Sequence, residues 1–179
     1  VGQRFDASGS AVGDEFRFHT KWGDHYPSLA LRDDGTLLVT WGSGAVEQRE
    51  IEIFERDTAS VETLEPVMAS NLNPPQRADV AGLADGGYVV TWSADGLSLP
   101  DEDGYGIYAK RYDSMGQPAS DQFLVNTTTA NSQNRASVTG LADGGFVVCW
   151  DSREQDGDGT GLYFQRYAST GEPIGVETQ

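Results

Sequence analysis

The chain reads as an all-β protein of repeated four-stranded antiparallel meanders, β-propeller-like in architecture. Three observations carry this reading. PSLALRDDGTLLVTW (27–41), ADVAGLADGGYVVTW (78–92) and ASVTGLADGGFVVCW (136–150) are copies of one unit, with Trp41, Trp92 and Trp150 falling 51 and 58 residues apart. A second unit alternates with it: residues 1–20, 51–70, 106–127 and 161–179 align on Arg4, Arg56, Arg111 and Arg166, spaced by 52, 55 and 55. Side-chain character inside these runs alternates with period two, as in Ile107, Ala109 and Arg111 against Tyr108, Lys110 and Tyr112, and no stretch sustains a helical period over ten residues.

Each element follows from these patterns. In the first unit a short apolar run meets Asp34-Gly35, Asp85-Gly86 or Asp143-Gly144 and continues into a run rich in Val, Leu and aromatics, the pattern of a β-hairpin. The second unit sets turn formers such as Ser114-Met115-Gly116-Gln117-Pro118 between two strands and is a hairpin too. Two hairpins per period make a meander of about fifty residues, the size of a propeller blade. The chain is therefore one repeat domain over 1–179: an extra second-type hairpin and connector (1–26), then repeats at 27–77, 78–135 and 136–179. A closed propeller takes about four to eight blades. Three and a half leave strand edges bare, so a homo-oligomer or the continuation of a longer repeat array is expected to close it.

Composition narrows the partners. Twenty-eight Asp and Glu against 12 Lys and Arg give a net charge of −16, which argues against nucleic acid and anionic membranes, since both require a cationic face. Cations, neutral sugars and basic proteins remain. No run approaches the roughly 20 apolar residues of a membrane span, so no membrane insertion is expected. The single Cys149 cannot form an internal disulfide, and the start at Val1 reads as a processed or excised chain.

The strings LADGGFVVCW (141–150), EQDGDGTGLYFQRY (154–167) and FLVNT (123–127) resemble repeats of very large secreted bacterial proteins that often also carry haemolysin-type calcium-binding or adhesin modules. The resemblance spans nearly the whole chain, is closest over 78–179 and is diluted over 27–70. It implies a secreted or cell-surface location, calcium as a partner and no established catalytic activity.

Two acidic, glycine-rich loops occupy matching places in two repeats: Pro100-Asp101-Glu102-Asp103-Gly104 and Gln155-Asp156-Gly157-Asp158-Gly159. Calcium takes six to eight oxygen ligands, and alternate Asp residues in a tight turn can aim carboxylates at one point. Asp101 with Asp103 and Asp156 with Asp158 are the candidate metal ligands, with Asp151 upstream able to add an oxygen; the same loops also read as plain Asp-Gly turns. A connector that departs from the repeat, His19 to Pro27, gathers both His residues and the unmatched Trp22. There Trp22, His25 and Tyr26 are candidates for contact with a glycan or another protein. The matched Trp residues read as core. Catalysis finds little support, because no Gly-x-Ser-x-Gly elbow exists and Cys149 stands where the other copies have Thr. The leading expectation is a non-catalytic, extracellular calcium-binding β-repeat module. The alternatives are a lectin-like propeller module and an accessory domain of a secreted hydrolase.

Overall fold

The computed structural model describes residues 2–16, 25–42, 51–57, 60–63, 76–95 and 104–179. Strands β1 (Gly2–Phe5) and β2 (Ala11–Phe16) form a separate hairpin. Three antiparallel four-stranded sheets follow, each a meander in chain order. The first holds β3 (His25–Leu31), β4 (Leu37–Gly42), β5 (Ile51–Asp57) and β6 (Ser60–Thr63). The second holds β7 (Gln76–Gly82), β8 (Tyr88–Asp95), β9 (Tyr105–Tyr112) and β10 (Phe123–Leu124), and the third β11 (Gln133–Gly140), β12 (Phe146–Arg153), β13 (Thr160–Tyr167) and β14 (Pro173–Thr178). The fold is all-β and propeller-like, with the expected extra hairpin and three meanders. Each first strand begins slightly ahead of the repeat boundary drawn from the sequence.

The Asp-Gly signals do turn the chain, although in a five-residue connection rather than a two-residue one. In the second sheet Leu83 N–H donates to Gly87 O and Gly86 N–H to Leu83 O, both at 2.9 Å. The Asp85 carboxylate accepts from Gly87 N–H at 2.9 Å, and Gly86 takes φ +82°, which only glycine adopts without strain. Asp143 and Gly144 repeat this arrangement in the third sheet.

The sheets pack face to face through two apolar layers. Val80, Tyr88, Val90, Trp92 and Tyr108 pack with Leu38 between the first and second sheets. Val89, Ile107, Ala109, Phe146, Val148 and Trp150 fill the space between the second and third. Thus the Trp-bearing face of one sheet lies on the opposite face of the sheet before it. Trp92 and Trp150 are each 1% exposed, as expected of core residues; the Trp41 side chain lies outside the described ones. Burying a large aliphatic or aromatic side chain is worth roughly 1.5–3 kcal/mol. A parallel-stacked aromatic pair recurs in both sheets, Tyr88 on Tyr112 at 4.9 Å and Phe146 on Tyr167 at 4.8 Å.

The first strands β3, β7 and β11 lie side by side. Their approach is so close that a Cβ on Gly140 would come within 2.2 Å of Gly82 O. Asp79 of β7 ties all three: it accepts from Ser28 Oγ of β3, and from Ser137 Oγ at 2.9 Å and Val138 N–H at 2.8 Å of β11. Ser28, Asp79 and Ser137 are repeat-equivalent positions. Two of the recurrent arginines, Arg111 and Arg166, serve the fold as well, each within its own sheet. Arg111 meets Asp85 at 3.3 Å, and Arg166 meets Asp143.

The connector 125–132, polar and bland in sequence, is in fact locked between the second and third sheets. Asn126 Oδ1 accepts from Ile107 N–H at 2.7 Å, while its amide donates to Gln133 Oε1 at 3.2 Å. Asn126 is 3% exposed and Gln133 fully buried.

Candidate functional site

The first strand of every sheet opens with a β-bulge. The register shifts between His25 and Ser28, between Gln76 and Asp79, and between Asn134 and Ser137. Each bulge holds one non-glycine residue in the left-handed region: Tyr26 at φ 56°, Arg77 at φ 50° and Arg135 at φ 59°. Such a conformation costs on the order of 1–3 kcal/mol. Its recurrence at three equivalent positions makes it a built feature of the repeat, and a bulge re-aims the side chain it carries.

These side chains meet at one end of the sheets. The Arg77 guanidinium sits over the Tyr26 ring, 4.8 Å from its centroid, a cation–π contact that orients the planar fork. Arg135 Nη1 lies 2.8 Å from Asp151 Oδ2. Between them and Arg153 opens a cavity of about 420 Å³ bounded by the starts of β7, β11 and β13 and the ends of β8 and β12. Ser93, Tyr105 and Asn134 add polar groups to its wall. Ser93 is 1% exposed, and its Oγ has no hydrogen-bond partner among the described residues. The cavity lies within the size range of small-ligand sites.

Tyr26 belongs to this site, though not as a connector residue: His25, Tyr26 and Pro27 form the start of β3, because a bulge lets the strand continue past Pro. Trp22 and the acids Asp101 and Asp103 fall outside the described residues. Asp156 and Asp158 lie in the β12–β13 turn. There Asp156 Oδ1 accepts from Asp158 N–H at 3.0 Å and Oδ2 from the Gln179 amide at 2.8 Å. These two bonds, the backbone one first, hold the Asp156 carboxyl below its ordinary range. Asp151 is engaged by Arg135. Among the described residues no three His, Cys, Asp or Glu side chains stand together as a metal-binding group. Sequence reasoning passed over Arg77, Arg135 and Arg153. A signal existed, since Gln76-Arg77-Ala78 and Asn134-Arg135-Ala136 precede two copies of the first unit at the repeat spacing.

No family model matches the chain, and no curated protein does. In fold it is similar to a glycosyl hydrolase from Bacteroides ovatus, with a TM-score of 0.54 and 10% identity over 86% of this chain and 51% of that one. It is likewise similar to the endo-arabinase from Bacteroides thetaiotaomicron, with a TM-score of 0.51 and 14% identity over 87% of this chain and 64% of the other. The chain thus spans about half the length of the first and under two thirds of the second. At these identities the likeness is one of fold. It corrects the expectation that the chain is not an enzyme: structures named for glycoside cleavage share this architecture, so β-repeats without a nucleophile elbow do not argue against catalysis.

Proposed function

We propose that the chain is the saccharide-binding part of a carbohydrate-active propeller protein, secreted or at the cell surface, with the cavity at the bulged ends of β7 and β11 as its glycan site. The observation that carries this reading is the cavity itself, polar and arginine-lined, set on rigid strand ends by a bulge that recurs in each sheet. The fold likeness to a glycosyl hydrolase and an endo-arabinase supports it. Sugar hydroxyls need several donors and acceptors converging from fixed backbone, and Asn134 and Arg153 supply both kinds.

Cleavage of a glycosidic bond by paired carboxylates needs two acids about 5–10 Å apart. Among the described residues lining the cavity, Asp151 is the one carboxylate. The role of this part of the protein is accordingly to bind and orient the sugar. An oligosaccharide array probed with the chain tests the reading, with hits confirmed by calorimetry. Binding should appear and should weaken in Asn134→Ala with Arg153→Ala. An array with no binder, or binding unmoved by that double variant, removes the proposal.

A further inference from the structure

The cavity's charge is at odds with the rest of the molecule. The chain carries sixteen excess negative charges and only 12 Lys and Arg, yet three of those arginines, Arg77, Arg135 and Arg153, line one cavity. Three arginines elsewhere face carboxylates, Arg32 with Asp34, Arg111 with Asp85 and Arg166 with Asp143, whereas Arg4 on the β1–β2 hairpin meets none among the described residues. In the cavity only Arg135 is matched, by Asp151. Arg77 and Arg153 meet no carboxylate among the described residues, and Arg77 is instead held by the Tyr26 ring. Two guanidinium groups without a carboxylate partner among the described residues therefore line the cavity.

We infer that this site selects sugars bearing a carboxylate, that is, uronic acid residues, over their neutral counterparts. The inference rests on the saccharide reading above and names its substrate class. A guanidinium offers two parallel N–H donors that match the two oxygens of a carboxylate, and stacking on Tyr26 fixes one such fork before the ligand arrives. The left-handed bulge at Arg77 sets the base of that side chain. Ser93 Oγ lies buried beneath the cavity wall, without a protein partner among the described residues. Because the protein as a whole repels anions, the attraction is local, and added salt acts on a short-range contact rather than on long-range steering.

Calorimetry with trigalacturonate and galactotriose decides the matter, using the parent chain, Arg77→Gln, Arg153→Gln and, as control, Arg4→Gln on β1. Trigalacturonate should bind at least about tenfold more tightly than galactotriose, the size of one charge-assisted contact. Each cavity variant should lower the preference for trigalacturonate over galactotriose by about that factor while keeping its melting temperature; Arg4→Gln should match the parent. Equal affinity for the two sugars, or a preference that survives both cavity variants, overturns the inference and leaves the saccharide reading standing. Binding of neither sugar by the parent, together with an empty array, overturns both.

Discussion

Val89, Thr91, Ile107 and Ala109 form one face of the second sheet, and all four are fully buried. The repeat-equivalent face of the third sheet carries Val147, Cys149, Leu162 and Phe164, with Leu162 68% and Phe164 43% exposed and Cys149 a free, exposed thiol. The strand pairing is the same in both, Thr91 opposite Ala109 and Cys149 opposite Phe164. What differs is the neighbour. The third sheet covers the second, whereas within the chain nothing among the described residues covers the third in the same way. Larger apolar side chains stand on the open face than on the covered one, so it has the chemistry of a packing surface and the exposure of an edge.

The largest test of this contrast is charge burial. Ile107→Asp should cost about 4 kcal/mol or more in urea unfolding, because an unpaired carboxylate enters a closed layer. Leu162→Asp at the matching position should cost close to nothing in dilute protein. Trp92→Ala and Trp150→Ala should each cost about 3–5 kcal/mol, since both point into covered layers. A large loss at Leu162 would mean that the third face is packed in solution.

Backbone contact gives the next effect. Gly140→Ala drives a Cβ to 2.2 Å from Gly82 O, while Gly82→Ala meets Leu31 O at 3.2 Å. The first should cost about 1–3 kcal/mol as an overpacked junction and the second less. Equal losses would show that the two junctions between sheets are alike.

Thiol chemistry sharpens the comparison without altering stability. Cys149 should react with iodoacetamide in the native protein as an open thiol, and Thr91→Cys, whose new thiol replaces a fully buried side chain, should be protected. If Cys149 becomes protected as protein concentration rises, a second copy is covering the face, as the count of three and a half meanders suggests. Fast labelling at both sites would erase the distinction between the sheets.

The smallest effect is at acid pH and belongs to a feature the sheets share. Asp143 is held below its ordinary carboxyl range first by Gly145 N–H and then by Arg166, and Asp34 by Thr36, backbone first. The folded state thus binds these protons less readily than the unfolded one. Their contribution is present above the ordinary carboxylate range and is lost as pH falls through the folded value. The fall in melting temperature below about pH 4 should be shallower in Asp34→Asn with Asp143→Asn. An unchanged acid limb would show that these turns carry none of it.

Much of the fold was legible because its causes are local. The alternation in 106–112 and the Asp-Gly turns are written within a few residues of the structures they form, and the Trp positions follow from strand alternation. The site was hardly legible. Arg77 and Arg135 recur at the repeat spacing but stand just ahead of the aligned repeats, and strand alternation does not mark the bulge that flips each to positive φ. Tyr26 was singled out for lying in an irregular connector and proved to be in a strand. The spacing of Arg111 and Arg166 marks the repeat but does not show that each reaches back to the turn of its own sheet.

By itself the sequence determined the hairpins, their pairing into meanders and the residues able to form a core, since alternation and turn chemistry act over a few positions. Only the tertiary structure decided which faces are covered, that Asp79 joins three strands from three repeats, and that Arg77, Arg135 and Arg153 surround one cavity. Those outcomes depend on contacts between residues roughly one repeat apart, and a repeated motif is the same string of letters whether or not another sheet lies against it.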